Sequence, residues 1–244
     1  MRRSNDRESL ARSPGQGTLL MNLIETFFNA DVFVRALPLL LSGLVTTLTL
    51  GITSILIGTA LGLVVCLARI YGRWPLRYAA TALIDIFRAV PILVVLILIY
   101  YALPFVGVRL SSFTSATIAL ALVFAAFTAE VFRAGIEAVP KGQFEAASAL
   151  GLSFPLTLWK VVLPQAMRIA VPPQTSNCIS LLKDTSLASV VAMPDLLKQA
   201  TDAQAFMANP TPLIGAALVY LALLWPLVRL VGVLERRAAA HKAR

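Results

Sequence analysis

Residues 37–67 read LPLLLSGLVTTLTLGITSILIGTALGLVVCL, an apolar run without one charged side chain. An α-helix needs about 20 such residues to cross a bilayer core. This run is long enough to tilt within the bilayer or project beyond it, and Pro38 suits the first turn of a helix starting there. Thr47, Gly51, Ser54, Gly58 and Gly62 recur at helical spacing. Gly51, Gly58 and Gly62 are predicted helix-packing positions, because a small-xxx-small pair such as Gly58 and Gly62 lets a second helix come close. Further spans are predicted over 79–103, 112–132 and 213–231.

The whole chain agrees with that reading. It is 58% hydrophobic and 14% charged, with a mean hydropathy of +0.81, whereas soluble domains carry about a quarter charged residues. Cys66 and Cys178 lie in or beside apolar stretches without metal spacing. The single histidine, His241, sits in a basic tail, so no metal site is predicted. The net charge of +9 does not imply a nucleic-acid partner, because the basic residues are scattered between apolar spans, as in a membrane topology signal.

The stretch 171–193 is the difficult one, with Gln174, Asn177, Lys183 and Asp184 inside it. If it spans, Arg69, Arg73, Arg77, Arg133, Lys141, Lys160, Arg168, Arg229, Arg236, Arg237, Lys242 and Arg244 share one side. Only Arg109 and Lys198 then lie in the opposing loops. The positive-inside rule therefore predicts five spans, N-terminus out and C-terminus in. A polar span is tolerable where it faces protein or a water-filled path.

Residues 1–21 are predicted to be a disordered tail with no cleavable signal. Residues 22–36 suit an interfacial helix, and 238–244 form a basic tail. Arg2, Arg3, Arg7 and Arg12 would lie outside on this topology. A start at Met21 would remove them, and peptides from residues 2–20 in the native protein would exclude such a start.

Residues 130–164 read EVFRAGIEAVPKGQFEAASALGLSFPLTLWKVVLP. Pro140 and Pro155 bracket an Ala-rich piece, 143–150, able to form two helical turns, and Gly151 can end it in a left-handed cap. Small side chains keep this helix thin, while Phe144 and Leu150 offer apolar contacts. It is suited to pressing into a groove on a partner, although an ordinary amphipathic loop helix has the same pattern.

Glu145-Ala146-Ala147, Gly151, Val161, Leu163 and Pro164 stand at the spacing of the EAA motif, and the chain resembles the permeases of ABC importers. Gly43-Leu44 with Thr47-Leu48, Lys141-Gly142-Gln143-Phe144-Glu145, Lys183-Asp184-Thr185-Ser186-Leu187 and Glu235-Arg236-Arg237 are similar to the polar amino-acid, histidine/glutamine permease-like branch. Phe87-Arg88-Ala89-Val90-Pro91 resembles that branch's FRGTP motif, with Ala89 and Val90 in place of Gly and Thr.

The resemblance implies an all-α membrane protein with a five-helix type I importer core over 37–237 and a cytoplasmic coupling loop at 133–164. It implies residence in the bacterial inner membrane and ATPase docking through Gly142, Gln143, Glu145, Ala146, Ala147 and Gly151. It also implies a cytoplasmic ATPase dimer, a second permease subunit, an extracytoplasmic solute-binding protein and an amino-acid substrate. ATP and Mg would bind the partner ATPase. The chain has no G-x-x-x-x-G-K-[ST] loop, since Gly-Lys never occurs, and no catalytic residues are expected.

Charges within the spans keep two readings each. Arg88 follows Asp85 by one turn, so the two could pair within the helix, with Pro91 loosening it beyond them. Alternatively Arg88 meets a ligand. Glu130 and Arg133 repeat that spacing. Lys183 and Asp184 point to different faces; with Asn177, Thr185 and Ser186 they could line a translocation path, or else form a gate between two permease subunits. An ion-driven transporter would be expected to show paired repeats with broken helices, and an intramembrane Ser-His enzyme a histidine in the membrane. The sequence offers neither.

Overall fold

The computed structural model describes residues 25–242. The expectations for 1–21 and for a start at Met21 lie outside them.

The first helix, α1 (Ala30–Tyr71), has 42 residues and so runs roughly 60 Å. Asn29 caps it, its side chain accepting from the Val32 N–H at 3.1 Å. Residues 30–36 of the predicted 22–36 segment are the opening turns of α1, and Pro38 lies inside it. One stripe is buried: Ala36, Leu40, Gly43, Thr47, Ser54, Gly58, Gly62 and Cys66. Val34, Val45, Leu56 and Val64 are exposed on the other faces, as expected of side chains facing lipid or a neighbouring subunit.

The second predicted span is broken. After α2 (Trp74–Ala89) comes α3 (Ile92–Ile97), continued by a π turn, Leu98–Ala102, and a 3-10 turn, Leu103–Val106. The two halves meet at 103°. Proline drives the preceding residue out of the helical region, and Val90 is extended at φ −84° and ψ 129°.

The helix α4 (Ser112–Glu137) is the most buried of the long helices and packs along α1 and α2. A Cβ on Gly58 would stand 2.9 Å from the Ala121 carbonyl oxygen, and one on Gly62 2.8 Å from that of Ala125. Only glycine allows this approach of α1 to α4. A Cβ on Gly51 would instead meet the Leu182 side chain at 2.5 Å.

Next come α5 (Lys141–Ala149), a turn labelled α6 (Phe154–Thr157), and α7 (Leu163–Asp184), which carries Pro172 and Pro173 and passes into a 3-10 turn, Thr185–Val191. Thus α7 starts earlier and ends sooner than the predicted 171–193 span. The helix α8 (Leu196–Met207) is then capped by Asp195. The last helix, α9 (Thr211–Lys242), continues through residues 238–242, which were expected to be a tail.

Among the described residues, three helices are long and apolar enough to cross a membrane, or four with the bent pair. One core cluster gathers Ala36 and Leu40 with α8 and α9. Another, at the far end of α1, gathers Cys66 with Phe132, Ile136 and Val162. The coupling loop lies at this second end.

Candidate functional site

The α5 helix is a projecting finger. Its backbone closes at Gly151, whose φ of 75° is left-handed. The Gly151 N–H donates to the Ser148 oxygen at 2.9 Å and the Leu152 N–H to the Ala147 oxygen at 3.1 Å, the Schellman pairing that satisfies terminal carbonyls. Phe144 packs inward on the cluster around Cys66 and Val162. Gln165 donates to Gln143 Oε1 at 3.3 Å, tying the finger to α7.

Gly142, Gln143, Glu145, Ala146 and Gly151 are exposed. Ala147, expected on the docking face, is 3% exposed and faces the body of the molecule. Leu150 is 80% exposed and offers its apolar surface outward, whereas Phe144 does not.

Above this finger lies a knot of charge. Glu130 pairs with Arg69 of α1 and with Arg133 at 2.8 Å, and Arg133 reaches Glu137 at 2.6 Å. Arg88 stands 3.8 Å from Glu130. The expected Asp85–Arg88 pair is not formed. Asp85 is exposed, and Arg88 turns across to α4, its guanidinium 5.5 Å from the centre of the Phe127 ring.

Beside Arg88 two adjoining cavities of about 230 and 260 Å3 share Ile92, Val123, Phe127 and Asp184. Arg88 and Pro91 line one, with Val90; Asn177 lines the other, with Ser180 and Phe124. Lys183 and Thr185, expected on a translocation path or gate, are absent from both linings. Lys183 points off the face that carries Asp184 and is exposed. Thr185 is buried, its hydroxyl donating to the Leu182 oxygen at 2.7 Å.

Ser180 and Phe127 were missed. The spacing of Asn177, Ser180 and Asp184 marks one helix face, which would have found Ser180. Phe127 carried no sequence signal, because nothing distinguishes it from other core aromatics.

Asp195, also missed, is fully buried, its Oδ1 accepting from the Lys198 N–H at 2.8 Å. Burial pushes its carboxyl up to about 6. Among the described residues no group of three or more His, Cys, Asp or Glu could hold a metal ion.

Comparison with known proteins gives consistent matches. Residues 62–240 match the family described as binding-protein-dependent transport system inner membrane component. A probable amino-acid ABC transporter permease protein of Bacillus subtilis, YckA, is 40% identical over 72% of this chain and 78% of its own. The L-cystine transport system permease protein TcyB of the same organism is 37% identical over 85% and 89%. The glutamine transport system permease protein GlnP of Escherichia coli K12 is 35% identical over 70% and 80%. A crystal structure of an amino acid ABC transporter with histidines matches at a TM-score of 0.78 and 35% identity, covering 84% of this chain and 96% of that one.

Proposed function

The chain belongs to the binding-protein-dependent transport system inner membrane component family, and from that premise we propose that it is the permease subunit of an amino-acid ABC importer. It is a multi-pass protein of the inner membrane and not itself catalytic, and its family works with ATPase and binding-protein partners. The observation that carries the mechanism is the exposed, internally capped α5 at the end of α4. Gly142, Gln143, Glu145 and Ala146 dock on the ATPase, while Phe144 and Ala147 transmit its displacement to α4 and α7.

Five spans with the N-terminus out follow if α7 crosses as the polar member, a reading supported by the basic residues it gathers on the coupling-loop side. Two copies, identical or similar, then stand over an ATPase dimer that holds ATP and Mg. An extracytoplasmic solute-binding protein delivers the substrate, a polar amino acid. Arg88, Pro91, Asn177 and Asp184 line the path, and the bend at Pro91 is the point about which its wall opens.

A Glu145→Lys change reverses charge on the docking face without touching the core. The tagged chain should lose its co-purifying ATPase in mild detergent, and ATP-driven uptake should fall about tenfold or more. Undiminished uptake in that variant would remove the docking assignment.

A further inference from the structure

Where α1 turns into α2, every side chain from Arg73 to Ala79 is exposed, and α2 first buries a face at Ala80 and Ile84. The exposed stretch reads RWPLRYA, two arginines interleaved with two large aromatics. The charge-free run 37–67 ends just before it, which puts the turn at the edge of the hydrocarbon.

Trp74 and Tyr78 are 75% and 71% exposed. One helical turn apart, they meet edge to face with ring centres 6.2 Å apart. So much apolar ring surface is unfavourable in water. Such side chains settle at headgroup level, where the ring meets lipid and the polar tip meets water. Behind them Tyr71 stands edge-on to Phe154 at 5.2 Å, which sets the turn against the start of α6.

Arg73 and Arg77 form no ion pair among the described residues. Arg77 donates to the Ile70 oxygen at 3.3 Å, which leaves most of its donors outward. The first turn of α2 has no acidic side chain, and its single carboxylate, Asp85, lies about 12 Å further along the axis. Side chains four residues apart start about 6 Å apart on one face, so both guanidinium groups can grip one phosphate, which each matches with paired N–H donors. A topology signal needs charge alone on this side. The aromatic pair beside the charge is what a headgroup and its glycerol would rest on.

We infer that the α1–α2 turn binds an anionic phospholipid, its phosphate held by Arg73 and Arg77 and its glycerol and upper chains packed on Trp74 and Tyr78. A zwitterionic headgroup fits less well, because its ammonium would stand beside two arginines with no carboxylate near. The inference is separate from the docking and path assignments and requires of them nothing but residence in the inner membrane.

The test uses the full-length permease assembled with its ATPase in detergent, offered equimolar phosphatidylglycerol and phosphatidylcholine of equal chain length, with bound lipid read by native mass spectrometry. Wild type should retain phosphatidylglycerol in preference. Arg73→Gln or Arg77→Gln alone should lower that retention about fivefold, and the two together about thirtyfold. Lys160→Gln with Arg168→Gln, which removes the same charge from other exposed positions, should stay within about twofold of wild type.

No preference in wild type overturns the inference, as does undiminished retention in the Arg73/Arg77 double variant. An equal loss in the Lys160/Arg168 control overturns it too, since the lipid would then be drawn by net charge and not by this turn. Loss of the ATPase from the double variant would make the turn part of the ATPase-docking face and remove the lipid assignment.

Discussion

Glu130 and Asp184 are two carboxylates on neighbouring helices, and Arg88 stands between their surroundings. Glu130 is saturated: Arg69, Arg133 and the more distant Arg88 converge on it from three helices. Asp184 faces a cavity and has no ion-pair partner among the described residues. The first arrangement ties α1, α2 and α4 together above the coupling loop. The second leaves Asp184 facing open space between α3, α4 and α7. A matched charge holds the fold, while an unmatched one contributes no such tie.

The contrast breaks most visibly at Glu130. Glu130→Gln leaves Arg69 without its carboxylate and Arg133 with Glu137 alone, at a cost of about 3 kcal/mol. The thermal midpoint in detergent should drop accordingly, and an unchanged midpoint would show that the knot does not brace the helices.

A third carboxylate, Asp195, sharpens the comparison by being buried and only half satisfied, its Oδ2 having no partner. Its pKa is raised from 3.8 to about 6, so the fold favours the protonated form. The stability it contributes is fully present below the unfolded value and is lost as pH rises through about 6. Asp195→Asn keeps an acceptor for the Lys198 N–H and removes the buried charge. It should therefore stabilise the protein by about 2 kcal/mol near pH 8, and the gain should vanish below about pH 4. A pH series of thermal midpoints, with wild type alongside, reads this directly.

Glu137 reaches Arg133 from a largely exposed position, so Glu137→Gln should change stability by at most about 0.5 kcal/mol. The smallest stability effect belongs to Asp184→Asn, within about 0.5 kcal/mol of wild type, although uptake should fall sharply. A large loss of stability there would place Asp184 with Glu130 as a brace and erase the distinction.

The coupling helix was readable because its signals are local. Proline before it, small residues within it and glycine after it act over a dozen positions, and the helix forms at Lys141–Ala149 with Gly151 left-handed. The bend at Pro91 was half readable, since proline loosens a helix wherever it sits, but its angle depends on what the two halves pack against. The short α8 was missed. It is neither long nor strongly apolar, and it is held by Asp195 at its start and by the Leu196 N–H donating to Thr47 Oγ1 at 3.0 Å, a contact between residues far apart in the chain.

Composition and the uninterrupted run 37–67 determined on their own that this is a helical membrane protein, and the EAA spacing identified its family. Both are short-range properties of the chain. Only the tertiary structure decided that Arg88 leaves Asp85 for Glu130 and Phe127, that Ala147 faces inward, and that Lys183 and Thr185 stay off the cavity lined by Asp184. Adjacent residues on a helix differ in direction by about 100°, so which of them meets a cavity depends on how α7 is rotated against α3 and α4. That rotation is set by packing across the bundle and is not recorded in the local sequence.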